Sequence, residues 1–237
     1  MMRNFNKYIK TFFKIALLNI LPFLVTGCDI GGDIVIPSGA TDLSVNIKSD
    51  DNAFDNPADV IVITEAKALI TDIQYERERD GLNQLPHTGP YVVNLALDGS
   101  LRELMKGYVV RDIYTKAKFQ VHKPEDGLQI SDPDFIEGPG EDQRFSFIIK
   151  GTYNGTAFTY KSKRSMDVVI NLNISSNVKN KTHNFTMLFN NSTWFLSGAN
   201  VLNPNLPQNT DAIDNNIKSS FRKAFLDDNK DGVADSN

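Results

Sequence analysis

The chain has 237 residues, 25 basic and 29 acidic side chains, a net charge of −4 and a single cysteine. With no second cysteine there is no intrachain disulfide, so the fold must rest on its hydrophobic core, and fifteen Phe and seven Tyr can bury large areas there. The acidic balance argues against nucleic acid as a partner and suits an exported domain.

The first 28 residues read as an export signal. Arg3, Lys7, Lys10 and Lys14 make a positive start, and residues 15–25 form a short apolar run broken by Asn19 and Pro22. Thr26 and Gly27 are the small residues that a processing site requires. The run is well short of the roughly 20 residues a membrane-crossing helix needs. Leu24-Val25-Thr26-Gly27-Cys28 resembles the lipobox of bacterial lipoproteins. That resemblance covers residues 1–28. It implies that residues 1–27 are a signal peptide, that the Cys28 thiol is lipidated, and that the mature chain begins at Cys28. The membrane is then the first partner, held by acyl chains such as palmitate, each buried CH₂ adding about 0.8 kcal/mol. The alternative is an ordinary cleaved signal followed by a buried free cysteine. Removing the leader leaves 210 residues with 21 basic and 29 acidic side chains, a net charge of −8. The expected location is the bacterial cell envelope, on the outer membrane or cell surface. Asp29 after the cysteine would instead mean inner-membrane retention under the enterobacterial sorting rule.

Residues 28–40 are rich in Gly, Pro and Ser and read as a flexible tether. Leu43, Val45 and Ile47 alternate with polar residues as in a half-buried strand. Residues 49–59 form an acidic turn region, and residues 60–64 (VIVIT) a buried strand. Residues 66–79 fit helix or strand spacing; their β-branched content and the Asp80-Gly81 turn favour strand. Residues 91–97 (YVVNLAL) are a strand, and residues 98–105 a single helical turn capped by Asp98 or Ser100 and ended by Gly107. Residues 108–122 alternate as a strand. Residues 123–142, with Pro124, Pro133 and Pro139, are a long loop. Phe145, Phe147 and Ile149 lead to Asn154-Gly155, the strongest short hairpin signal. Residues 166–174 and 184–189 are further strands, and residues 194–196 close the β region. After a linker at 203–208, residues 211–226 read as a helix. Ile213, Ile217, Phe221 and Phe225 recur every fourth residue, with Thr210 or Asp211 as cap.

About nine short strands without a βαβ rhythm predict a mainly β protein. The expected fold is an antiparallel β-sandwich over residues 41–202, followed by a linker and one docked C-terminal α-helix over residues 203–226. Over residues 41–198 the pattern also resembles uncharacterised lipoprotein domains with immunoglobulin-like or transthyretin-like folds, a resemblance that brings no activity with it.

The tail, residues 227–237, is similar to the calcium loops of EF-hand, dockerin and thrombospondin type 3 repeats. Calcium takes six to eight oxygens, and alternate side chains of a tight loop can converge on one ion. The resemblance places Asp227, Asn229 and Asp231 in the first three ligand positions. Gly232 permits the turn, Val233 offers its carbonyl, and Asp235 acts directly or through water. The twelfth position of such a loop falls one residue beyond Asn237, so its acid would come from another loop such as 49–59. The plainer reading is a solvated acidic tail.

His87, His122 and His183 lie in separate segments without ligand spacing, and no G-x-S-x-G nucleophile motif occurs. The expectation is therefore a protein that is not an enzyme, with a binding or structural role and an unknown protein or glycan ligand. One alternative is a carbohydrate- or peptide-binding module of an uptake system, using Tyr91, Tyr108, Tyr153, Tyr160 and Trp194 as a platform. Another is a hydrolase with carboxylates from residues 49–59 and 131–142.

Overall fold

The computed structural model describes residues 40–50, 60–87, 90–177 and 182–235. Cys28, the tether up to residue 39, and residues 51–59 of the acidic turn lie outside the described residues. The strands are β1 (Ala40–Ser49), β2 (Ile61–Arg77), β3 (Asn83–His87), β4 (Tyr91–Asn94), β5 (Arg102–Val110) and β6 (Ile113–Val121). They continue with β7 (Phe147–Tyr153), β8 (Thr156–Ser162), β9 (Met166–Asn177), β10 (Thr182–Phe189), β11 (Leu196–Ser197), β12 (Asn200–Val201) and β13 (Phe221–Leu226). One α-helix, α1 (Thr210–Ser220), precedes β13. The protein is mainly β, as expected, with one short helix near its C-terminal end.

Eleven strands form one sheet in the order β5-β1-β10-β13-β9-β6-β2-β7-β8, with β3 and β4 also on β2; β11 and β12 form a separate ribbon. The sheet is mixed rather than antiparallel throughout. β1 runs parallel to β10, and β13 parallel to β9. No short-range pattern reports such pairs, because Asp42 meets Thr182 across 140 positions of chain.

Strand β2 has 17 residues and changes neighbours along its length. Lys67 and Ala68 face β4 on one edge and β7 on the other, whereas Ile70 faces β4 and β6. β7 and β6 therefore line the same edge of β2 in succession. The exchange falls between Ala68 and Ile70, and the register with β6 slips just beyond it, between Ile70 and Ile73. The two strands expected at 60–64 and 66–79 are thus a single bent one.

The turn signals are obeyed where the backbone demands them. Asn154 and Gly155 both have positive φ, 50° and 76°, the type I′ geometry that matches strand twist and joins β7 to β8 without a register shift. The helical turn expected at 98–105 does not form. Asp98 instead accepts hydrogen bonds from the backbone N–H and hydroxyl of Ser100, making a tight turn, and β5 begins at Arg102.

The largest correction concerns residues 211–226. The helix stops at Ser220, and Phe221–Leu226 is a strand inserted between β10 and β9. Ser219 and Ser220 are poor helix formers. The Ser220 carbonyl leaves the helix to accept from the Asn190 N–H, and its hydroxyl donates to Ile217 O at 2.6 Å. Two strand edges on either side then take up the backbone that follows, a tertiary gain that outweighs helical periodicity. Neither Thr210 nor Asp211 caps α1; Asn209 holds that position and makes no side-chain cap bond.

The core is aromatic. Trp194, fully buried, stacks on Phe189 with centroids 5.8 Å apart and meets Phe147 edge-on at 5.3 Å. Ile213 and Ile217 bring α1 onto this cluster, and the Asn216 amide ties the helix down by donating to the carbonyls of Trp194 and Leu196. The Tyr160 hydroxyl donates to the buried Asp214 carboxylate at 2.7 Å. Burial pushes the Asp214 carboxyl up, against the bonds from Tyr160 and Ser162 that favour its charge. The long loop 122–145 folds over the opposite side of β7, where Phe135 and Phe145 pack on Leu69 and Ile148.

Candidate functional site: the C-terminal loop

The site begins on the second face of β1 and β10. Leu43, Val45, Ile47, Phe185 and Met187 point into the core, so alternation turns Ser44, Asn46, Asn184 and Thr186 the other way. These polar side chains are nevertheless at most 4% exposed. Buried polar groups must be paired, and these pair with one another and with the segment after β13. Asn184 Oδ1 accepts from Ser44 Oγ at 2.7 Å and Asn46 Nδ2 at 2.6 Å. Its amide donates to Thr186 Oγ1 and to the Asp227 carbonyl. Thr186 Oγ1 donates to Asp227 Oδ2 at 2.6 Å.

Asp227 is wholly buried and winds the loop around itself. Its Oδ1 accepts from the Asp231 N–H at 2.9 Å, and its Oδ2 accepts from the Gly232 N–H at 3.1 Å as well as from Thr186. Asn229 Oδ1 shares the Asp231 N–H at 3.1 Å, so the first two expected ligands converge on one donor. Asp231 Oδ1 accepts from the Val233 N–H at 2.8 Å. The loop closes where Asp235 N–H donates to Leu226 O and Asp235 Oδ2 accepts from Asp228 N–H. Two backbone positions make this winding possible, Lys230 at φ 58° and Gly232 at φ 80°. A Cβ on Gly232 would also stand 3.0 Å from Lys48 Cδ of β1, so a larger residue there meets the unfavourable φ and must also push the lysine side chain aside. Farther out, Lys230 reaches Glu103 of β5 at 3.7 Å. Asp228 receives the Asn184 N–H and lies 3.1 Å from His183 Nδ1. The described part of the tail is therefore a strap anchored at the buried Asp227 on β10, with residues 228–231, 233 and 234 exposed.

Asp227, Asn229 and Asp231 thus come together, Asp235 sits at the closure of the loop, and Val233 is 63% exposed. Among the described residues no three His, Cys, Asp or Glu side chains gather closely enough to hold a metal in this arrangement. Asn184, Thr186, Ser44 and Asn46 carry no motif. Their only sequence signal is i, i+2 spacing on what reads as the solvent face of a strand.

The other candidates are dispersed. Asp132 and Asp134, from the 131–142 acids, hold Lys67 Nζ at 2.7 and 3.0 Å, and Asp134 also holds Lys150 at 2.8 Å. Lys150 and Lys67 hold the Asp134 carboxyl down to about 2. Trp194 and Tyr160 are buried, Tyr91 and Tyr153 pack against the core, and Tyr108 stands half-buried on β5, so the five aromatics form no shared surface. His122 turns its Nδ1 to the Lys123 carbonyl. No described helix is long and apolar enough to cross a membrane. Comparison with protein-family models, with curated proteins and with solved structures finds no match.

Proposed function

We propose that this chain is a lipid-anchored protein of the bacterial cell envelope, held through Cys28 on the outer membrane or cell surface, with a binding or structural rather than catalytic role. Within it, residues 227–235 bind calcium through Asp227, Asn229, Asp231, the Val233 carbonyl and Asp235. The observation that carries the calcium reading is the winding of the loop on Asp227, which brings Asp227 Oδ1 and Asn229 Oδ1 to the same backbone N–H, that of Asp231. The donor set is oxygen only, the kind a hard cation takes, and five protein donors leave one to three positions for water or a further carboxylate. An ion there would cross-link the end of β13 to the strap over β1 and β10. The sandwich form, immunoglobulin-like or transthyretin-like, belongs to the same proposal; the partner exchange along β2 supports a layered arrangement, with parallel pairs as its departure from that pattern.

Calcium at about a hundredfold over Kd adds about 2.7 kcal/mol, which for a domain of this size raises Tm by roughly 5–10 °C. The expected result is such a rise in the wild type and none in Asp231→Ala, whose side chain is exposed. No rise in about 10 mM calcium, ten times the weak end of known calcium modules, sinks the ion reading. The anchor has its own test. Cells fed an alkyne-tagged fatty acid should label the wild-type chain and not Cys28→Ala, and equal labelling of both removes Cys28 as the attachment point.

A further inference from the structure

Strand β8 ends its side of the sheet, and among the described residues it pairs with β7 alone. The two-residue turn makes Tyr153 and Thr156 a hydrogen-bonded pair, so Phe158, Tyr160 and Ser162 also aim their backbone groups at β7. Ala157, Thr159 and Lys161 aim theirs the opposite way, and no described strand meets them. An edge of this kind is a template for another strand unless something blunts it. β8 contains no proline and no bulge. Its one outward-aimed lysine is drawn aside, since Lys161 Nζ bonds Glu137 at 2.7 Å and Asp134 O at 3.2 Å over the Phe145 ring.

The edge also lies in a groove of about 380 Å³. One wall, with Glu137 and Phe145, comes from the loop over the outer face of β8. The other, with Pro204 and Pro207, comes from the segment leading into α1, where the Thr210 carbonyl receives the Tyr160 hydroxyl on the inner face. We propose that this groove takes an extended segment of another polypeptide, which adds to β8 as a strand. From Ala157 to Lys161 the edge runs about 13 Å, enough for roughly five residues of partner. Backbone groups supply the affinity, and β-branched side chains favour the extended backbone that the edge requires. Lys163 and Asp142, both exposed at the groove and without an ion-pair partner among the described residues, call for an acidic and a basic residue flanking a neutral centre. A second copy of this chain fits less well, because its own β8 would bring two walls against these two. The proposal rests on neither the lipid anchor nor calcium.

The probes are two fluorescein-labelled peptides, Glu-Thr-Val-Thr-Val-Thr-Lys and the same peptide with its end charges exchanged, titrated by anisotropy into the full chain in detergent. Each is also made with its Thr amides, or its Val amides, N-methylated, since one of these sets faces β8. One parent peptide should bind, and one N-methylated version of it should bind about tenfold or more weakly, the scale of a lost backbone bond. Thr159→Pro, which removes an N–H that β7 does not use, should weaken the parent similarly. Amide exchange at Ala157, Thr159 and Lys161 should be fast in the free chain and slowed at least tenfold in the complex. The proposal is overturned if neither peptide binds at about 1 mM, the limit of weak specific affinity. Equal binding of both N-methylated versions also overturns it, as does protection of the three amides before peptide is added. A concentration-dependent dimer that Thr159→Pro abolishes would assign the edge to self-association instead. The N-methylation arm uses the wild-type chain, so it decides the matter even if the proline variant does not fold.

Discussion

A chain that stops at Ser220 is expected not to fold. β13 lies between β10 and β9 and, among the described strands, is the one that hydrogen-bonds β5-β1-β10 to the rest of the sheet, while β3 also packs against β5. Its removal deletes Phe221, which meets Phe119 edge-on at 5.3 Å, together with the buried Ala224, Phe225 and Leu226. Burying a side chain of the Phe or Leu kind stabilises by about 1.5–3 kcal/mol, so the three large ones together contribute roughly 5–9 kcal/mol. That approaches the whole stability of a typical domain, about 5–15 kcal/mol. Two inner strand edges are also left open, which invites aggregation. Circular dichroism of the truncated chain should show no cooperative melt. A chain ending at Leu226 keeps the strand and loses only the strap, so it should melt cooperatively at a lower temperature. A sharp transition in the Ser220 truncation would mean that β13 does not join the two halves.

The second large effect is expected at Asp227. In Asp227→Ala the Thr186 hydroxyl loses its acceptor inside a fully buried row; at the rim the Gly232 N–H loses its acceptor, where water can replace it, and the Asp231 N–H is left with Asn229 Oδ1 alone. One unpaired buried donor costs about 1–3 kcal/mol and the loosened strap adds to it, giving roughly 2–4 kcal/mol. Tm should fall by about 5–15 °C without calcium present. Asp231→Ala changes an exposed side chain and should stay within about 0.5–1 kcal/mol under the same conditions. The contrast separates two roles in one motif. Asp227 anchors the strap whether or not an ion is bound, while Asp231 is the position at which the proposed calcium site is tested. Equal losses from the two substitutions in calcium-free buffer would remove that distinction.

Much of the fold was legible because its signals are local. The alternation of Leu43, Val45 and Ile47 marked β1, and Asn154-Gly155 marked a hairpin whose positive φ values only such residues adopt readily. The spacing of Asp227, Asn229, Asp231 and Gly232 marked a tight loop, since each of the three polar side chains accepts from an N–H within five positions of itself. Residues 221–226 were misread for an equally physical reason. Phe221 and Phe225 sit four apart, as on one face of a helix, whereas in β13 the irregularity opposite Leu188–Phe189 turns Phe221, Ala224 and Leu226 to the core and sets Phe225 beside Thr186 on the other face.

By itself, then, the sequence determined the dominance of strands and the local winding of the C-terminal loop. Each depends on residues a few positions apart, where side-chain chemistry and backbone preference act directly. Only the tertiary structure decided that β13 is the strand between β9 and β10, that β1 lies parallel to β10, and that the loop is strapped over Asn184 and Thr186. Those outcomes depend on which distant edges and polar faces are left to be satisfied once the rest of the chain has folded, and no local pattern carries that information.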